Sequence, residues 1–279
     1  MGAYTVARDD FTNARRSYIV LGVIGVFTAL VGLIFAAEMN IYDDPYRVLW
    51  DVSALVAFVF PLVLAPLVYL SIAGDRISGR IKFSMGLPNS RLDYVTGKLW
   101  SRLGTAAAAV LLGVLVGFVI ALATYATTPD PLRFLTFAGV TLMYTLTFVS
   151  VFLAISAATT SRARAMFGAL GAYFVLVVFW FGFFPLVNLR TVLDAVGSLL
   201  GTELSETARG YLTMLSPGPA YLQSTELVYG GVLDQYDVFG QFEGDEPYDQ
   251  SWFALLVMVG WTAVSLAVGY LAFDRSELG

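Results

Sequence analysis

The chain has 279 residues, of which 58% are hydrophobic and only 13% charged, where an ordinary soluble domain carries about 25% charge. It holds no Cys and no His, which excludes disulfides, thiolate chemistry, zinc fingers, imidazole-ligated haem and the Ser-His-Asp triad. Acids exceed bases by 21 to 16, a balance that suits a protein facing concentrated salt, and no nucleic-acid partner is expected.

Residues 1–17 contain no apolar core followed by a small-residue cleavage site, so no removable signal peptide is expected. Tyr4, Ala7, Phe11, Ala14 and Tyr18 recur at intervals of three and four, the stripe of an amphipathic helix. Arg8, Asp9, Asp10, Asn13, Arg15 and Arg16 fall on its other faces. Such a helix lies along the inner leaflet, its arginines near anionic headgroups, as a lipid anchor or as a docking element for a cytoplasmic partner.

A hydrocarbon core of about 30 Å takes about 20 helical residues to cross. Six apolar runs have that length, at 18–37, 52–72, 103–125, 134–158, 166–187 and 252–273, and none contains Asp, Glu, Lys or Arg. One charge at mid-bilayer costs on the order of 3 kcal/mol, so this segregation is what inserted helices require. The expected fold is all-α, a single polytopic membrane domain of six spans. Twelve Lys and Arg residues fall on the side of the N-tail, the second and fourth loops and the C-tail, against four on the other, which places both termini in the cytoplasm of a plasma-membrane protein.

Within the spans, Pro61 and Pro66 kink the second and free backbone carbonyls. Gly113 and Gly117 in the third, and Gly22, Gly25 and Gly32 in the first, allow close helix packing. The aromatic run from Tyr173 to Phe184 in the fifth faces lipid, an apolar path or a dimer seam. With no ionisable group in any span, a buried carboxylate relay for proton-coupled transport is not expected.

The inner loop 73–102 carries six basic residues against two acids. Ile77, Ile81, Met85 and Leu87, interleaved with Arg76, Arg80 and Lys82, suit a short amphipathic helix continuing span two. Leu87-Pro88-Asn89-Ser90 breaks it, and Ser90 with Asp93 forms a capping pair that opens a second helix into span three. The expected product is a cytoplasmic helix-turn-helix. The outer loop 188–251 has Val192, Ala195, Val196, Leu199 and Leu200 at helical spacing, which predicts a surface helix ended by Pro217 and Pro219. Its acidic tail, 234–251, reads as a solvated loop.

In the inner loop, Asp75, Gly79, Leu87-Pro88-Asn89-Ser90-Arg91 and Gly97-Lys98 together resemble the loop after the second span of ABC transporter permeases of the type 2 exporter family. The N-terminal stretch with Arg8, Phe11, Arg15 and Arg16 resembles that family's entry helix, and the six-span layout with its long last outer segment fits. Within the family the likeness is greatest to permeases that work beside nitrous oxide reductase maturation, to which the outer Leu215-Ser216-Pro217 and Ala220-Tyr221 add. The resemblance implies an exporter half, a homodimer or heterodimer of permeases, with Asp75, Gly79 and Leu87 to Arg91 gripping a separate ATPase subunit that holds ATP and Mg²⁺. Gly79-Arg80 followed by Ile81-Lys82-Phe83 departs from the family's usual Gly-Thr and Leu/Glu-rich helix.

The chain has no P-loop of its own. Lys98 follows Gly97, but Leu92 holds the first glycine position and Leu99 the Ser/Thr position, while Lys82 follows Ile81. No catalytic residue, cofactor or metal is therefore assigned to this chain. Two other classes stay open: a membrane enzyme using surface acids such as Asp43 and Asp44, and a membrane scaffold or assembly factor without transport.

Overall fold

The computed structural model describes residues 2–14, 17–86, 90–182, 184, 187–201, 204–242 and 244–276, and these contain helices and loops with no strand. After α1 (Ala3–Ala14) come α2 (Tyr18–Glu38) and α3 (Tyr46–Val68), then the short α4 (Ala73–Ile77) and α5 (Arg80–Gly86). Next are α6 (Arg91–Thr124), α7 (Pro131–Ala158) and α8 (Arg162–Tyr173), the last continuing through a π turn (Phe174–Val178) into α9 (Phe179–Phe181). The outer segment holds α10 (Leu189–Leu200), α11 (Glu206–Met214), α12 (Pro217–Ser224) and α13 (Glu226–Tyr229), and α14 (Ser251–Asp274) closes the bundle. Six helices are long and apolar enough to cross a membrane, at Tyr18–Glu38, Tyr46–Ile77, Arg91–Thr124, Pro131–Ala158, Arg162–Phe181 and Ser251–Asp274.

The helices extend past the apolar runs where a cap permits. Asp44 Oδ1 accepts from Tyr46 N at 2.8 Å and starts α3 six residues before the run at 52. Ser90 and Asp93 form a reciprocal capping box, so α6 begins at Arg91 and runs 34 residues without a break. Asp130 caps α7 through Leu132 N, with Pro131 in the first turn. The fifth span stops early. Gly182, at φ +71°, turns left-handed after Phe181, so the run at 166–187 is not one helix; Phe183, Pro185 and Leu186 lie outside the described residues.

Breaks in the spans are repaired by hydroxyls from elsewhere. Pro61 has no N–H to offer the carbonyl of Ala57, and the Tyr144 hydroxyl donates to that carbonyl at 2.8 Å. The π turn leaves the carbonyl of Leu176 to Ser216 Oγ. Where α3 gives way to α4, Ser156 Oγ accepts from Ile72 N and Ala73 N, both at 3.0 Å.

Small residues set the closest approaches. A Cβ at Gly113 would lie 2.8 Å from Phe27 Cε1, and one at Gly117 would lie 2.7 Å from Phe35 Cε2. Those two rings are therefore knobs in holes that α6 opens toward α2. Gly269 of α14 meets Ala154 of α7 in the same way, and Thr147 and Thr262 hydrogen-bond across that seam at 3.1 Å.

The outer segment differs from its sequence-based reading in two respects. Pro217 and Pro219 do not end a helix; α10 ends at Gly201 and α11 at Met214, and Pro217 sits in the first turn of α12, where its missing donor is harmless. The whole of α12 is buried but for Leu222, with Tyr221 stacked on Tyr144 (4.5 Å, 23°) and 3.0 Å from Thr141 Oγ1. Nor is the tail a solvated loop throughout. Phe239 and Phe242 are buried against Trp50 and Tyr229, because four aromatic faces gain more from packing than the flanking acids lose. Tyr236 donates to Asp44 Oδ2 at 2.7 Å; burial, helped by this carboxylate, pushes its hydroxyl up to about 12.

Gly113→Val or Gly117→Val should destabilise the detergent-solubilised protein by about 1–3 kcal/mol, since each methyl pair must displace a ring in a filled seam. Gly104→Ala, which meets nothing within 4 Å on the same helix, should be neutral or stabilising by up to about 1 kcal/mol. Thermal melts of the three variants check this.

Candidate functional site

One end of the bundle gathers α1, α4, α5, the start of α6 and the end of α14, and it holds most of the residues singled out from sequence. Its centre is Lys98, whose side chain is only 5% exposed. Lys98 Nζ lies 2.5 Å from Asp10 Oδ1 of α1 and 2.6 Å from Asp75 Oδ2 of α4. Asp75 also takes Arg80 at 2.7 Å and the Tyr94 hydroxyl at 2.7 Å, and Asp10 pairs with Arg102 at 3.0 Å. Burial alone would raise the Asp10 carboxyl, but the cations of Lys98 and Arg102 outweigh it and hold Asp10 below its ordinary range.

Local sequence explains how these groups meet. Tyr94, Lys98 and Arg102 stand at intervals of four on α6 and so share one face. Gly97 beside them leaves room for α1: a Cβ there would fall 2.6 Å from Val6 Cβ and 2.8 Å from the Ala3 carbonyl. The N–H of Ala3 in turn donates to Asp93 Oδ1 at 3.2 Å, so the capping acid of α6 also holds the start of α1. Gly79, at φ +75°, makes the bend between α4 and α5 that a side chain would oppose.

Arg91 points back into the protein. Its Nη1 donates to the carbonyls of Phe273 at 2.8 Å and Ser276 at 3.1 Å, and to that of Asp274, capping the end of α14. Arg76 supports the same end through Ser276 Oγ at 2.5 Å, and Tyr94 stacks on Phe273 (5.5 Å, 17°). The structure thus brings Asp75, Gly79, Ser90 and Arg91 together, but Asp75 and Arg91 work inward as joints between helices. Leu87, Pro88 and Asn89 lie outside the described residues, as do Arg15 and Arg16. Arg8 and Phe11 are exposed on α1, with Tyr4, on the side away from α6.

Sequence reasoning gave Lys98 no role and left Asp10, Tyr94 and Phe273 out of the site. The spacing of Tyr94, Lys98 and Arg102 was the available signal for a buried polar face. The outward surface here is supplied by α5, where Ile81 is 1% exposed and anchors the helix while Phe83 is 81% exposed, with Lys82 exposed beside it.

Apolar spans with ionic groups collected at their ends define a multi-pass membrane protein. The chain belongs to the ABC-2 transporter family: residues 4–278 match the family model described as ABC-2 family transporter protein. It is therefore a membrane permease component of an ABC transporter. No curated protein matches it.

Two outcomes test the joint. A carboxyl whose pKa is lowered on folding contributes stability that is complete above its ordinary pKa of about 3.9 and is lost as pH falls through the lowered value. Limited proteolysis of α1 should stay flat down to about pH 4 and rise below it, and Asp10→Asn should abolish that acid step. Arg91→Ala should lower stability by about 1.5–3 kcal/mol, because several carbonyls lose a charged donor; a loss of activity without a lower melting temperature would show that Arg91 serves a partner instead.

Proposed function

We propose that this permease is driven by a separate ABC-type ATPase subunit that docks on α5 and the segment through Ser90. The observation that carries the reading is the pairing of an exposed ridge, Lys82 and Phe83, with a base fixed by Ile81 and the Asp75–Lys98 ion pair. An aromatic side chain 81% exposed beside a cation is the composition of an interface anchor. The same end carries the majority of the basic residues, which supports its placement in the cytoplasm of a plasma-membrane protein.

ATP and Mg²⁺ belong to the partner in this reading. Nucleotide-driven closure of two ATPase subunits moves α5 as a lever, and the ionic joint passes the movement to α1, α4 and α6 together. Two permease copies, identical or related, form the path, and cargo leaves the cell through it.

The test is affinity purification in mild detergent followed by an ATPase assay. A P-loop protein should co-purify, and Phe83→Asp should weaken its binding by about 30-fold or more with the melting temperature of the permease unchanged. Full retention of the partner by Phe83→Asp would overturn the docking site. A stable complex with unstimulated hydrolysis would favour a scaffold, and activity of the permease alone would favour an enzyme. Because the chain lacks Cys, single cysteines at Ser90 and Asp245 report sidedness with an impermeant thiol reagent, and labelling of position 90 from outside the cell would overturn the orientation.

A further inference from the structure

A cavity of about 360 Å³ opens between the start of α2, the end of α3 with α4, and the start of α8. Its polar lining is Arg80, Arg102, Arg162, Ser17, Ser71, Ser78 and Tyr69, and no carboxylate lines it. Ile19, Leu67 and Leu70 of the spans supply an apolar wall.

Two of the polar groups are buried without a protein partner. Ser71 is 4% exposed, and its Oγ makes no hydrogen bond among the described residues. Arg102 spends one Nη on Asp10, while its Nε, also buried, has no acceptor there. Groups of this kind cost about 1–3 kcal/mol each unless something fills the site.

The charges around the cavity do not balance. Asp10 and Asp75 are the acids of the ionic joint, and Lys98, Arg80 and Arg102 already match and exceed them. Arg162, exposed at the start of α8, has no carboxylate within ion-pair distance among the described residues and raises the local excess to two positive charges. An anion that arrives with an apolar body fits both halves of this lining.

We propose that the cavity binds the headgroup of an anionic phospholipid, its phosphodiester received by Arg162, Arg102 and the Ser71 hydroxyl and its acyl chains laid along Ile19, Leu67 and Leu70. A phosphodiester offers two acceptor oxygens to guanidinium donors, and a basic recess between helices at a membrane surface is where such a lipid is held. Free phosphate shares the chemistry of the headgroup but leaves the apolar wall unused. The assignment is independent of transport and of the ATPase.

Native mass spectrometry of the full-length chain in detergent, titrated with phosphatidylglycerol, phosphatidylcholine or inorganic phosphate, tests it. Phosphatidylglycerol should bind in preference to phosphatidylcholine and persist in millimolar phosphate. Arg162→Gln should weaken it about fivefold, and Ser71→Ala, which removes a hydroxyl with no protein partner, by a similar factor. Both should keep the native melting temperature. Arg164→Gln is the control: Arg164 bonds Thr160 and stands two residues along the same helix, outside the cavity, so the lipid should be unaffected. Equal binding of phosphatidylcholine, an equal loss in Arg164→Gln, or displacement by inorganic phosphate would each overturn the assignment.

Discussion

A lipid interior offers a backbone carbonyl no partner, so every irregularity in a span must be met by some other part of the chain. This requirement organises the bundle. The carbonyl freed by Pro61 is met by Tyr144, the π turn by Ser216 and the α3–α4 junction by Ser156. Each repair ties together elements that are distant in sequence. Tyr144 is itself stacked on Tyr221, so the proline in α3, the middle of α7 and the buried α12 form one connected unit. The outer segment is thereby built into the membrane domain.

At the other end the constraint is charge. Lys98 and Asp75 are almost fully withdrawn from solvent, and such ions persist only when each has a partner and further donors or acceptors. Tyr94 and Arg80 complete the shell of Asp75, and Arg102 that of Asp10. The set binds α1, α4 and α6 into a single piece whose members cannot separate without stranding a charge, and Arg80 ties α5 to it from the exposed side. A 34-residue α6 spans about 51 Å, against a hydrocarbon thickness of about 30 Å, so this piece stands partly outside the lipid on a continuous helix.

The spans were legible because hydrocarbon enforces a rule that any stretch of sequence can be tested against: some twenty residues without charge. The capping box of α6 and the helix at Leu189–Leu200 were legible for a similar reason, since their signals lie within a few residues of one another. What sequence left hidden depends on partners far apart. Asp75 and Arg91 carry the right motif, yet their work is set by Lys98, Asp10 and the end of α14, up to 185 positions away. Pro217 reads as a stop from its neighbours alone, and its place in the first turn of α12 follows from the pocket for Tyr221. In the acidic tail, charge density masked Phe239 and Phe242, whose value appears once Trp50 and Tyr229 are placed.

The cap on α14 has a bearing on how the protein is made. A helix usually closes with groups a few positions beyond its last turn, whereas here the donor, Arg91, lies 182 residues upstream of the Phe273 carbonyl that it serves. During translation Arg91 leaves the ribosome well before α14 does. Helix α14 therefore meets a donor made earlier in the chain, and a chain whose third span has inserted wrongly leaves the carbonyls at the end of α14 without it.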